Sequence, residues 1–413
     1  LEFRRVLFRS GRCLSYGDGI TFWPIGEVVR EAAAIVPDDA TEAAIARLTA
    51  LAARLPLPPG DRAGIVARVA AAIGLVPTPF PVAELFWGIR RLLEALAAEQ
   101  PLVLIVDDVH DAEPTLLELL DALAAPGGTA PLLLLCTARH ELAERHAEWA
   151  EANAGELLVL TPLSDADAGR FVDALLGTAG LEPAVVARIT AAAEGNPLFV
   201  EQLVAMLVDA GTLRREGERW VTDAAGTIAV PPSITALLAA RLDALPPDER
   251  GAIEPASVIG LAFATAAVEA LVPAGLQTAV APALDAMTRK QLLRAGGPGD
   301  EQDRRFGHAL VRDTAYESLL KRDRADLHVR FVDWAEAVNA ARGRGQEFEE
   351  IHGYHLEQAY RYRVQLGVVD DSVRAIGGRA SAKLASAGRR AMARGDTPAA
   401  ASLLRRATRT RSE

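Results

Sequence analysis

Two adjacent carboxylates, Asp107 and Asp108, close an unbroken apolar run, Leu102 to Val106. A short continuous apolar run reads as a strand buried on both faces, the pattern of a parallel sheet. Open α/β sheets bind ligands at the C-terminal ends of such strands. Paired acids there are costly unless a cation or hydrogen bonds compensate them. This is the logic of a Walker B element. Asp107 is expected to hold Mg²⁺, usually through water, and Asp108 to orient or deprotonate the water that attacks a γ-phosphate. The alternative is a buried strand that ends in two solvated acids.

The counterpart that grips phosphate is missing from the sequence. A P-loop needs Gly-x-x-x-x-Gly-Lys-[Ser/Thr], because glycine amides cradle the phosphates and the lysine reaches the β and γ oxygens. The lysines are Lys290, Lys321 and Lys383, and none follows a glycine. The ends bear on this. Residues 1–10, LEFRRVLFRS, look like one frame of a common sequencing adapter, and 411–413 look like the start of the complementary one. Residues 11–410 are therefore expected to be an internal fragment of a longer protein, beginning just after a lost P-loop helix.

The elements that must position the acids can be read from the pattern. Gly11 to Tyr16 suits a short strand, followed by the turn Gly17-Asp18-Gly19. Pro24 opens an amphipathic helix to about Ala34. Alanine-rich helices fill 37–80, and a further helix, about Val82 to Ala98, carries Leu85, Phe86, Ile89, Leu92, Leu93 and Leu96 at helical spacing. Pro114 suits the first turn of the helix after the acids. Leu132 to Leu135 is expected to be a second buried strand, leading into Cys136-Thr-Ala-Arg139, and Leu157 to Leu160 a third. Strand, helix, strand at this spacing predicts a βαβ sheet.

From Ser164 the pattern turns helical. Helices are expected at Asp165–Leu176, Pro183–Glu194 and Phe199–Ala210, with Gly195-Asn196-Pro197 as a rigid break. Ser233 caps a helix bearing Ile234, Leu237, Leu238, Arg241 and Leu242, and Pro246-Pro247 opens the next. Leu292-Leu293, a Gly/Pro/Asp turn at 296–300 and Arg305-Phe306 suit a small hairpin. Helices followed by a hairpin suggest a winged-helix module. Gly395-Asp396 splits two alanine-rich helices, 380–393 and 399–407, which resembles one tetratricopeptide-like unit. One such unit cannot bury its own face, so more repeats are expected downstream. The expected divisions are an incomplete parallel-sheet core at 11–163, a helical lid at 164–228, a winged-helix-like module at 229–325 and a helical repeat region at 326–410.

Composition excludes some classes. Half the residues are apolar, enough for sizeable cores, and the net charge of −11 disfavours nucleic acid as the main partner. Cys13 and Cys136 are the only cysteines, giving no disulfide framework or metal spacing, so a reducing cytosol is expected. No apolar run reaches the roughly 18 residues of a membrane span. Arg139, at the tip of the neighbouring strand, can serve as a γ-phosphate sensor or pair with Glu141 or Glu144. His308, after the hairpin, can donate to a phosphate or simply pack. His352 and His355 read as helix surface, and no Ser/His/Asp or Cys/His constellation stands out.

Several stretches jointly resemble one family. They are GRCLSYGDGITFWPIGEVVREAA (11–33), LVLIVDDVHDAEPTLLELLDAL (102–123), PLLLLCTARHEL (131–142), AEGNPLFVEQLVAML (193–207), VPPSITALLAARLDALPPDER (230–250), RRFGHALVRDTAYESLLKRDRADLH (304–328) and GYHLEQAYRYR (353–363). The family is that of bacterial STAND-type signal-transduction ATPases, within the AAA-related P-loop NTPases. Similar proteins carry this module after a class III adenylate/guanylate cyclase domain, or end in a helix-turn-helix of a transcriptional regulator.

The resemblance implies ATP or ADP with Mg²⁺ as ligands. It implies Asp107 at the metal, Asp108 at the water, Arg139 as sensor, Pro197 against the adenine and His308 at the ADP phosphate. Two departures stand out. Asp111 replaces a usual tryptophan, and Pro255 falls inside an expected helix, where it can kink the chain. In such proteins nucleotide exchange and slow hydrolysis switch domain arrangements, and a helical sensor array controls an effector domain in the same chain. Two other readings stand beside this one: a non-catalytic scaffold that binds proteins through helical repeats, and a DNA-binding regulator acting through the winged helix. The last would want a basic recognition helix, but residues 233–250 carry two arginines against three acids.

Overall fold

A computed structural model describes residues 6–14, 20–36, 38–125, 130–153, 157–177, 181–217, 219–222, 231–296, 303–345, 347–367 and 369–411. The turn expected at 17–19 and most of that at 296–300 lie outside the described residues. The chain forms two compact units, one from 1–156 and 321–413, the other from 157–296 and 304–320. Helix predominates in both.

The first unit holds a parallel sheet of three strands, β1 (Leu7–Arg12), β2 (Leu102–Asp107) and β3 (Leu132–Cys136), with β2 in the centre. Helices α1 (Trp23–Ala32), α2 (Thr41–Arg54), α3 (Arg62–Ala72) and α4 (Val82–Glu99) connect β1 to β2, and α5 (Pro114–Ala124) connects β2 to β3. The acid-tipped strand, the helical spacing of α4 and the opening proline of α5 are as the sequence predicts. The core gathers Ile25, Val28, Leu48, Ile65, Leu85, Ile89, Leu93, Leu104 and Val106, all essentially buried. Gly11 is required by the packing: a Cβ there would lie 2.1 Å from the Pro24 carbonyl oxygen at the start of α1.

Three strand expectations are corrected. The first strand runs from Leu7 to Arg12 rather than from Gly11 to Tyr16, so residues 7–10 take part in the sheet. β3 is buried on one side only. Leu132, Leu134 and Cys136 pack on the core, whereas Leu133 is 60% and Leu135 49% exposed. Leu157 to Leu160 is not a strand, and these four residues are 65–85% exposed. An apolar run supplies the means to form a strand, but only a neighbour with free backbone groups makes it one.

Two short helices follow β3, α6 (Glu141–Arg145) and α7 (Ala147–Ala152). In the second unit α8 (Asp165–Leu176), α9 (Pro183–Ala193) and α10 (Pro197–Asp209) pack around Val172, Ile189, Val200 and Leu203. Ser164 and Asn196 cap α8 and α10 by accepting from backbone N–H groups two or three residues on. A hairpin, β4 (Leu213–Glu216) with β5 (Arg219–Thr222), was not signalled by the sequence. Next come α11 (Ile234–Asp243), capped by Ser233, and α12 (Pro247–Ile259), which continues through Pro255. Strand β6 (Ala262–Phe263), helices α13 (Thr265–Leu271) and α14 (Gln277–Arg289), strands β7 (Leu293–Ala295) and β8 (Arg304–Phe306) and helix α15 (Ala309–Ser318) complete the unit. The three short strands form an antiparallel sheet in the order β6-β8-β7.

The chain then returns to the first unit as α16 (Lys321–Ala341), α17 (Glu349–Gln365), α18 (Asp371–Arg394) and α19 (Thr397–Arg409). The break between α18 and α19 falls at Gly395-Asp396 as expected, with Gly395 in the left-handed region (φ +84°). Leu384, Ala387, Ala391, Ala399, Ala400 and Leu403 form the seam between these two helices. Asp396 does more than cap α19. It is 1% exposed and accepts hydrogen bonds from Thr21 (2.6 Å), Thr115 (2.9 Å) and Arg394 (3.2 Å). One carboxylate thus ties the entry to α1 and the first turn of α5 to the helical hairpin. A second tie is Glu347, which accepts from Arg30 and Arg344. Burial pushes the Glu347 carboxyl upward, and the two guanidiniums outweigh it, so the net shift is downward.

The histidines of α17 are not on the surface. His352 is 2% and His355 0% exposed, and His355 Nδ1 lies 2.7 Å from Nδ1 of the equally buried His328. Charged residues of the same helix pair across helices, as Glu357 does with Arg406 at 2.7 Å and Glu350 does with Arg390 at 3.0 Å.

Asp396→Ala should cost roughly 3 kcal/mol, because it leaves Arg394 and two threonine hydroxyls without their buried acceptor. A urea midpoint equal to that of the parent protein would show the anchor to be dispensable. Burial, reinforced by the Lys383 charge, holds His352 down at about 4. The unfolded chain therefore binds more protons between about pH 6.5 and 4, and stability falls as pH drops through that window. Imidazole NMR should find no protonation of His352 above pH 5, and a midpoint near 6.5 would contradict this.

Candidate functional site

The acids sit at the tip of the central strand. Asp107 ends β2, and Asp108 turns the chain with φ +59°, a left-handed conformation that aspartate tolerates better than most residues. Register brings two further residues alongside. Arg12 lies opposite Asp107 on β1, and Thr137 follows Cys136, the partner of Val106 on β3. Thr137 Oγ1 donates to Asp107 Oδ1 at 3.0 Å and accepts from the Asp108 amide at 3.2 Å. Arg12 Nη2 lies 3.4 Å from Asp107 Oδ2, and Arg12 Nε lies 3.5 Å from Asp108 Oδ2. The Arg12 backbone N–H is held by Glu27 at 2.8 Å.

The two acids therefore share one guanidinium. Their side chains are 28% and 32% exposed, so solvent screens both ion pairs, which are worth about 1 kcal/mol or less each. A divalent cation carrying phosphate oxygens can compete with contacts this weak. The donor set suits Mg²⁺: hard carboxylate and hydroxyl oxygens, few in number, leaving positions for water and phosphate. Among the described residues no cluster of three or more His, Cys, Asp or Glu side chains forms a dedicated metal cage. The sequence holds no Gly-x-x-x-x-Gly-Lys-[Ser/Thr] segment to cradle phosphate.

The other expected site residues are distributed differently. Arg139 lies three residues beyond β3 and is exposed. Its backbone N–H donates to Nδ1 of the buried His110 at 3.3 Å, and its side chain forms no hydrogen bond or ion pair with Glu141 or Glu144 among the described residues. It does help to lower the half-buried Glu141 carboxyl, chiefly set by that residue's own backbone hydrogen bond. Asp111 packs beside His110 Nε2 (3.6 Å) and pairs with Arg145 at 2.9 Å, so an ionic contact fixes the loop after the acids. Pro197 and His308 belong to the second unit. Pro197 is exposed in the first turn of α10. His308 caps α15, its Nδ1 accepting from the Leu310 amide at 3.1 Å.

Arg12 and Thr137 were not singled out from the sequence. A positional signal existed: once three parallel strands are aligned, the residues level with a strand-tip acid on its two neighbours become candidates. Cys13 and Cys136 lie near the same tip. Burial raises the Cys13 thiol strongly, and the nearby Asp111 and Asp108 charges raise it further. Burial pushes the Cys136 thiol up to about 11.

Comparison with known proteins places this tip in context. The family model of the AAA ATPase domain matches residues 2–135, which include β1, β2 and both acids. A curated protein of Rhizobium meliloti (strain 1021), described as uncharacterized, is 29% identical over 262 residues, covering 62% of this chain. The chain spans 24% of that relative's length. Among solved structures, a Pyrococcus horikoshii protein is similar at a TM-score of 0.46 and 13% identity, covering 98% of this chain and 55% of its own. It is described as a signal transduction ATPase with numerous domains, with a tetratricopeptide repeat sensor.

Both cysteines should stay protonated and slow to react in the folded protein at pH 8. Iodoacetamide followed by mass analysis should leave Cys13 unmodified until urea is added. Rapid alkylation of native Cys13 would show that the strand tip opens to solvent.

Proposed function

We propose that this chain is part of an ATP-binding switch module, in which Mg-ATP binding and slow hydrolysis control an attached effector. The observation that carries the reading is the Asp107-Asp108 pair at the C-terminal tip of a central parallel strand, within the stretch matched by the AAA ATPase domain. On this reading Asp107 serves the metal, and Asp108 orients or deprotonates the attacking water. Thr137 holds Asp107 in place, and Arg139 senses the γ-phosphate. Pro197 would lie against adenine and His308 at the ADP phosphate. Mg²⁺, when bound, offsets charge on the phosphate oxygens.

The phosphate grip itself has to come from a Gly-x-x-x-x-Gly-Lys-[Ser/Thr] segment that the sequence does not contain. We assign it to a longer parent chain, consistent with the greater length of the curated relative. The effector, a nucleotide cyclase or a transcriptional regulator, belongs to that parent. We read 164–228 as a helical lid and 229–325 as a winged-helix-like module. The hairpin helices α18 and α19 suit a tetratricopeptide-like region that binds proteins.

Direct DNA binding through α11 has little support. Arg241 is 5% exposed and held by Asp209 and the Lys290 carbonyl, both at 2.9 Å, and Arg250 pairs with Asp243 at 2.9 Å. Neither guanidinium is available for phosphate without breaking these contacts. The scaffold reading draws support from Arg12, which occupies both acids from within the chain. No helix among the described residues is long and apolar enough to cross a membrane.

The chain as it stands should bind Mg-ATP weakly, with Kd of about 1 mM or above, because the P-loop amides and lysine normally supply much of the phosphate affinity. Tight Mg²⁺-dependent binding measured by calorimetry would overturn the need for an outside phosphate grip. In the longer parent, Asp108→Asn should retain nucleotide and slow hydrolysis by about 100-fold or more. Unchanged turnover there would remove Asp108 from the role of base.

A further inference from the structure

Away from the acids, the first unit contains a cleft of about 320 Å³, near the lower bound for small-molecule sites. One wall comes from Phe22 and Trp23 at the start of α1, Arg30 in its last turn, and the 73–80 segment after α3. The other comes from α17 and α18 and the turn before α17. None of Arg12, Asp107, Asp108 or Arg139 lines it. Its surface is divided between rings and guanidiniums. Phe22, Trp23 and Phe80 supply flat apolar area, with Arg394 stacked over Phe22 and Arg30 over Trp23.

The charges of the cleft and its immediate support nearly cancel. Glu347 takes Arg30 and Arg344, Glu349 and Glu350 take Arg390, and Asp396 takes Arg394. Five guanidiniums, counting Arg389, thus meet four carboxylates. Arg389 is the one left over: it is exposed, lines the cleft, and has no hydrogen bond or ion pair to any described residue. Two further donors on lining residues are buried without an acceptor, Trp23 Nε1 and Arg394 Nε. A buried donor left unsatisfied costs about 1–3 kcal/mol, so the cleft is short of acceptors as well as of one negative charge.

We propose that this cleft binds a small aromatic monocarboxylate, its ring against Phe22, Trp23 and Phe80 and its carboxylate at Arg389. One negative charge matches the surplus, and a planar carboxylate is the natural partner of a guanidinium fork. A ring lying on indole and phenyl surface supplies the apolar contact. A dianion would exceed the charge available, and an aliphatic cation would meet a surplus of the same sign. The ligand would bridge α1 and α18, where Asp396 already ties the entry to α1 to the end of α18. Its binding should therefore tighten the first unit, whatever happens at Asp107 and Asp108.

The test uses 1-naphthoate as the probe, with neutral 1-naphthamide as its isostere, and calorimetry on the whole chain. Saturable 1:1 binding of 1-naphthoate with Kd below about 1 mM, at least tenfold tighter than 1-naphthamide, is expected. Arg389 is exposed, so Arg389→Gln should fold normally and should weaken 1-naphthoate at least tenfold while leaving 1-naphthamide unchanged. Arg405→Gln, at an exposed position on α19 outside the cleft, should bind as the parent does. Equal affinity for the two probes, undiminished binding by Arg389→Gln, or no saturable binding would each overturn the proposal.

Discussion

The hydrogen-bonded register of β2 is the constraint on which the site depends. Both edges of this strand are occupied, by β1 and β3, so it cannot slide without breaking two ladders. That register sets Arg12, Asp107 and the start of the Thr137 turn at one level. The apolar residues of β2 fix its depth, since Leu102, Leu104 and Val106 are the side chains the core encloses. The acids emerge where the enclosure ends. Their exposure and their shared guanidinium are thus consequences of strand length and pairing, and need no special loop beyond the left-handed turn at Asp108.

A second polar device holds the helices to that sheet unit. Apolar seams between helices are tolerant of sliding, because many rotamers fill similar space. Directional bonds to a buried carboxylate are not. Asp396 fixes the α18–α19 turn against two threonines that are far away in sequence, and Glu347 fixes the turn before α17 against α1. The helical region therefore has a defined position within the first unit, and the cleft between α1 and α18 has fixed walls.

Local features were legible in the sequence and relational ones were not. Helix starts announced by Ser164, Ser233 and Pro114 fell where capping chemistry puts them, because a cap needs only its own next residues, whereas α10 starts at Pro197, inside the expected break and two residues before the expected Phe199. The acid pair was legible for the same reason, as five apolar residues and two carboxylates are contiguous. Thr137 and Arg12 were missed because their importance lies in which strand stands beside them. His352 and His355 were misread because spacing on a helix says which residues share a face and does not say what covers that face. Leu157 to Leu160 had every propensity for a strand but lack strand pairing. The short hairpin of β4 and β5 was hidden by its charged residues, Arg214, Arg215, Glu216 and Arg219, which point to an exposed ribbon rather than a core strand.

The one-sided burial of β3 bears on how this protein behaves at high concentration. Four consecutive leucines form an outer strand whose far edge has no partner among the described residues, and two of those leucines face solvent. Nothing of the usual protection is present on the strand itself: no lysine, no proline, no bulge. Such an edge is a template for any extended apolar segment, including another copy of itself or the exposed run at 157–160 of a neighbouring molecule. A charged side chain at Leu133 or Leu135 would give this edge the protection it lacks.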